Sequence, residues 1–132
     1  MKKDTESINP QILYMAGVFD GLGCVRIETP KKGERSSLYI WITSKHFELM
    51  ELLQKFGAHI GKKSDGQYRA KWRDQKAYNV LKQLFPILTI RKEQARVGME
   101  FFDYKKRNSQ IDEDVVYKLR LKLLKKAEEE VI

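Results

Sequence analysis

Twice in succession this 132-residue chain places two short alternating segments ahead of a segment with helical spacing, an order that few folds accept. Residues 24–29 alternate, with Val25 and Ile27 on one side and Cys24, Arg26 and Glu28 on the other. A charged, glycine-containing turn over residues 30–37 leads to a second strand at 38–43, where Leu38, Ile40 and Ile42 oppose Tyr39, Trp41 and Thr43. Ser44 is the expected N-cap of a helix that carries Phe47, Met50, Leu53 and Phe56 and stops at Gly57. The unit then repeats. A short strand at 59–62, an Asp65-Gly66 turn and a strand at 68–73 form a second hairpin, and Asp74 is expected to cap a helix with Ala77, Leu81 and Leu84 inward, broken near Pro86.

A helix precedes the first hairpin. Asn9-Pro10 supplies an N-cap and a first-turn proline, the apolar run 12–19 buries the helix, and Gly21 and Gly23 are expected to end it. Helical spacing resumes over about 91–104 and 112–130. The resulting class is α+β, with an αββαββα order and extra C-terminal helices. Its four antiparallel strands would keep one face wet while helices cover the other. The length suits one domain over 1–132, with a core at about 8–106 and a C-terminal helix at about 111–130. On that helix Ile111, Val115, Leu119 and Leu123 form an apolar stripe, with Lys118, Arg120, Lys122, Lys125 and Lys126 toward water.

Charge narrows the partners. Twenty-six Lys and Arg against eighteen Asp and Glu leave a formal charge of +8, which suits a polyanion through counterion release. In residues 59–73 alone, Lys62, Lys63, Arg69, Lys71 and Arg73 stand against Asp65. A two-stranded ribbon fits the major groove, so Arg69, Lys71 and Arg73 are the leading candidates for base contacts, with Arg26, Arg35, Lys62 and Lys63 beside them. A cationic strand face also protects sheet edges from aggregation, which is the competing reading. Tyr39 and Trp41 either stack on unpaired bases, which would admit RNA as a partner, or pack under neighbouring structure. No apolar run is long enough to span a bilayer and the polar opening 1–7 is no signal peptide, so a soluble, intracellular protein without a membrane partner is expected. Cys24 is the only cysteine, and His46 and His59 have no partner at metal-ligand spacing.

The stretch Met15-Ala16-Gly17-Val18-Phe19-Asp20-Gly21-Leu22-Gly23 resembles the nine-residue motif of the LAGLIDADG homing endonucleases. With the αββαββα order the resemblance reaches to about residue 104. It implies a saddle-shaped sheet on a long duplex DNA site and cleavage of both strands with Mg²⁺ as cofactor. The family's acidic metal ligand stands at the eighth position of the motif, which here is Leu22. The resemblance further places Arg91, in the basic segment 88–95, near the scissile phosphates, and Ser44 where some members position the attacking water.

Leucine has no oxygen to offer a hard cation. Asp20 is two residues away, about 200° around a helix, and the Gly21 carbonyl is a weak ligand by itself. Gly17 and Gly21 share a helical face and let a second helix approach closely. With one motif per chain that helix must belong to another molecule, so a homodimer through Ala16, Gly17, Asp20, Gly21 and Leu22 is expected, on a nearly palindromic site. The alternative is that these glycines serve packing within the chain. The expected function is sequence-selective duplex binding with cleavage impaired or lost. An RNA-binding, maturase-like splicing factor is the alternative.

Overall fold

A computed structural model of the protein describes residues 9–29, 31 and 35–129. Helix α1 (Pro10–Leu22) opens as its sequence dictates: the Asn9 side chain accepts a hydrogen bond from the Gln11 N–H at 2.7 Å, and Pro10 occupies the first turn. Met15, Ala16 and Phe19 form its buried side. The helix runs past Gly21 and is closed by Gly23, whose amide donates to the Phe19 carbonyl, so Gly21 does not end it as expected. A side chain at Gly23 would overlap the buried Phe19 ring. That close approach lets the chain pass from helix to strand without a loop.

Strand β1 (Gly23–Glu28) pairs antiparallel with β2 (Ser37–Ser44), followed by helix α2 (Phe47–Lys55). Strands β3 (His59–Lys62) and β4 (Tyr68–Arg73) form the second hairpin, and helices α3 (Gln75–Leu84), α4 (Lys92–Arg107) and α5 (Glu113–Glu129) complete the order. The αββαββα order and the additional C-terminal helices are as expected. Part of the first turn and the chain ends expected at 1–8 and 130 lie outside the described residues. The sheet runs β1-β2-β4-β3, with β2 and β4 as the antiparallel centre.

Side-chain alternation decides which face meets the helices. Val25, Ile27, Leu38, Ile40, Ile42, Ala70 and Trp72 are buried against Phe19, Leu53, Leu81 and Phe101 from the helices. Each large aliphatic or aromatic group withdrawn from water stabilises the fold by about 1.5–3 kcal/mol. Trp72 also satisfies its indole N–H, which donates to the Phe56 carbonyl at 3.0 Å.

Three local expectations are corrected. Strand β2 extends through Ser44, so the N-cap position of α2 falls to His46, and the Ser44 hydroxyl instead accepts from the His46 N–H at 3.1 Å. Asp74 stands at the N-cap position of α3, yet its side chain makes no capping bond. Its carboxylate accepts from the Leu38 N–H at 3.0 Å and from the Lys105 ammonium at 3.1 and 3.2 Å, holding a backbone at φ 51° that non-glycine residues seldom adopt. Arg120 does not face water: its Nε donates to the Ile27 carbonyl at 2.8 Å and a terminal nitrogen to the Thr29 hydroxyl at 3.1 Å, fastening α5 to edge strand β1.

Candidate nucleic-acid interface

The antiparallel register sorts the proposed contacts. Arg26 lies opposite Tyr39 and Tyr39 opposite Arg73; Trp41 lies opposite Lys71, and Thr43 opposite Arg69. These residues share the sheet face turned away from the core. Four cationic side chains, Arg26 on β1 and Arg69, Lys71 and Arg73 on β4, therefore flank the aromatic residues of β2 between them, with Glu28 at the margin. Arg69, Lys71, Arg73 and Arg26 are brought together as the sequence predicts.

Aromatic rings lie among these charges. The Arg69 guanidinium carbon is 4.3 Å from the Trp41 ring centre and that of Arg26 is 5.8 Å away. Lys71 and Arg73 lie 5.4 and 5.5 Å from Tyr39, which is only 8% exposed. Such contacts contribute about 0.5–1 kcal/mol each at exposed sites. Hydroxyls add to the hold: Arg69 Nε donates to Thr43 at 3.4 Å, and Arg73 donates twice to Ser37, at 3.3 and 3.2 Å. Ser37 and Thr43 were missed in the sequence because a hydroxyl on a strand gives no signal until its cross-strand neighbour is known.

Other candidates fall elsewhere. Lys62 lies opposite Tyr68, on the helix-covered side of β4, and its ammonium is 5.9 Å from that ring. Lys63 pairs with Asp65 in the hairpin turn at 3.7 Å. Arg35 donates to the Lys105 and Asn108 carbonyls at 2.9 and 2.7 Å, closing the C-terminal end of α4. These three lie off the open face that carries Arg26, Arg69, Lys71 and Arg73, at flanking or structural positions. Lowered carboxyl pKa values belong to Asp65, through the Gln67 N–H, and Glu93, through its bond from Arg96; burial raises that of Tyr78. None of the three groups lies on the cationic face.

The end of α1 gathers the motif residues. The Asp20 carboxylate accepts from the backbone N–H groups of Thr89, Ile90 and Arg91 at 2.9, 3.0 and 2.9 Å. It thereby ties the segment carrying Arg91 to the helical turn that carries Leu22. Asp20 thus bonds within its own chain, and Ala16, 1% exposed, is core and is corrected as an interface residue. Ser44 is buried, its hydroxyl occupied by His46, so it offers no polar group to a water on the open face. Leu22 is 50% exposed and apolar. With Asp20 spent on three amides, and no cluster of three His, Cys, Asp or Glu side chains among the described residues, the donor set present does not fit a divalent ion.

Beside Leu22 the outer side of α1 is bare of cover from the other described residues. Leu13 and Tyr14 are 47% and 57% exposed, and a side chain added at Gly17 or Gly21 would meet nothing within 4 Å. Packing against the other described residues therefore does not explain these glycines.

No family model and no curated protein matches the sequence. Solved structures do. Over 88% of this chain and 83% of its own length, the archaeal intron-encoded homing endonuclease I-Vdi141I, solved with DNA, superposes with a TM-score of 0.75 at 18% identity. Homing endonuclease I-CvuI, solved on an uncleaved DNA target with Mg, gives 0.74 at 19% identity over 88% and 81%. Homing endonuclease I-TnaI gives 0.64 at 15% identity over 99% of this chain and its entire own length. The LAGLIDADG meganuclease I-AabMI, at 21% identity and a TM-score of 0.67, is covered over only 42% of its length. With the four-stranded antiparallel sheet and its flanking helices, these likenesses give the chain the fold of the LAGLIDADG homing endonucleases.

Proposed function

We propose that the protein is a soluble, intracellular duplex-DNA-binding protein of the homing endonuclease family, acting as a homodimer on a long, nearly palindromic site. The observation that carries this reading is the open sheet face on which Arg26 of β1 and Arg69, Lys71 and Arg73 of β4 are held around the aromatic residues of β2, since a β-ribbon bearing such side chains fits a major groove. The solved structures it resembles include DNA complexes, which supports the same partner. Dimerisation is supported by the bare Leu13, Tyr14, Gly17 and Gly21 side of α1. Cleavage in this form is impaired or lost, because Leu22 supplies no oxygen ligand and Asp20 is committed to backbone amides.

Selection of randomised duplex DNA on the purified protein at moderate salt tests this. A long consensus with two-fold symmetry is the expected result. Binding without a consensus that simply fades as salt rises would sink it, and efficient competition by folded intron RNA would put the maturase-like reading in its place.

Leu22→Glu checks the site directly. Two carboxylates brought together at a dimer axis repel when no cation lies between them, so the variant should melt a few degrees lower than the parent in metal-free buffer. On the selected duplex with Mg²⁺ it should cut, where the parent does not. A melting temperature equal to or above the parent's would contradict this placement of residue 22.

A further inference from the structure

Tyr39 and Trp41 stand where a base-stacking protein would keep its platforms, but their ring faces are engaged by cations of the same chain. We propose that the two rings are positioning residues: Trp41 holds Arg26 and Arg69, and Tyr39 holds Lys71 and Arg73, so that the cationic side chains meet the groove already oriented. This rests on the DNA-binding reading above and specifies how that face would discriminate bases.

The argument begins with entropy. An arginine or lysine on an open strand loses rotamer freedom when a partner fixes it, which weakens selective contacts more than diffuse attraction to phosphate. Here the cost is met in the free protein. Arg69 is held from two directions, by the Trp41 ring at 4.3 Å and by the Thr43 hydroxyl at its Nε. No described residue accepts from its two terminal nitrogens, which remain available for the two-pronged contact to guanine O6 and N7. Arg73 is held by Tyr39 but spends Nε and one terminal nitrogen on Ser37, so it is the poorer reader and the better anchor. Arg26 gives one terminal nitrogen to the Val25 carbonyl at 3.0 Å while lying near Trp41. Register explains the sharing. Tyr39 and Trp41 sit on a central strand with cationic residues on both neighbours, and diagonal positions in a sheet are within reach of long side chains.

Two readouts test this in the intact protein. In the free state, nitrogen-labelled arginine spectra should show the Arg69 Nε–H signal displaced by the ring current of Trp41. That displacement should persist in Trp41→Phe and vanish in Trp41→Leu. On the selected duplex and its single-base-pair variants, the parent should discriminate at the Arg69 position by roughly tenfold to a hundredfold. Trp41→Leu should reduce this to about threefold or less, and Trp41→Phe should retain most of it. The salt dependence on scrambled duplex should be unchanged, because no charge is lost. Full discrimination by a folded Trp41→Leu, or absence of the ring-current displacement in the parent, would overturn the proposal. A larger loss on single-stranded poly(dT) than on duplex would do so too, since it would make Trp41 a stacking platform. A parent that shows the displacement yet selects no sequence would instead remove the DNA-reading premise, leaving the rings a structural role only.

Discussion

Replacing Gly17 and Gly21 together with glutamine should give a monomer that is as stable as the parent protomer or more so, yet binds its palindromic site roughly 10²–10⁴-fold more weakly. The two effects have opposite signs because they arise in different places. Among the described residues a side chain at either position meets nothing within 4 Å, and glutamine is a far better helix former than glycine, which favours the variant by about 0.5 kcal/mol per site. Between chains the same side chains would stand in the contact and hold two helices apart by several ångströms. Each half-site would then be bound independently, and the advantage of a tethered second half would be lost. Light scattering and titration of full and half sites measure both terms. A dimer that survives the double substitution, with affinity for the full site intact, would remove α1 as the interface. An unfolded variant would mean that the glycines serve the protomer after all.

The path from sequence to that helix face was partly direct. Alternation at 24–29, 38–43 and 68–73 separates core from open face correctly, because each strand carries at least two β-branched, aliphatic or aromatic residues on its inner side. Residues 59–62 lack that contrast. His59 and Gly61 tell nothing of the pleat, and the charge of Lys62 gives no sign that the register of β3 against β4 sets it opposite Tyr68, away from the open face. Ser44 fails similarly by parity: one further residue at the end of β2 turns an expected cap into the last inward-facing strand position. Arg35 and Arg120 were read as solvated or phosphate-facing, since a long basic side chain gives no sign of which carbonyl it will find. Their acceptors lie 70 or more residues distant in the chain. The motif showed that Leu22 breaks a pattern of acidic residues. It did not show that Asp20 holds the segment 89–91, because that contact depends on how α3 returns the chain to the end of α1.

Asp20→Ala should destabilise the protein by about 2–4 kcal/mol, lowering the melting temperature by roughly 10 °C. One carboxylate serves three consecutive amides just ahead of α4, where partial positive charge from the helix also favours an anion. Alanine leaves those three N–H groups to water or to nothing, and it releases the turn that sets Arg91 beside the end of α1. Asp20→Asn keeps one accepting oxygen but loses the charge, so about half of the loss should remain. Combining Asp20→Ala with the two glutamines at 17 and 21 separates this account from a role at the dimer interface. If the carboxylate acts within its own chain, the full penalty persists in the monomer. If it acts across the interface, the penalty disappears once the dimer is gone, and the motif's first acidic residue would have to be reassigned from holding one chain together to joining two.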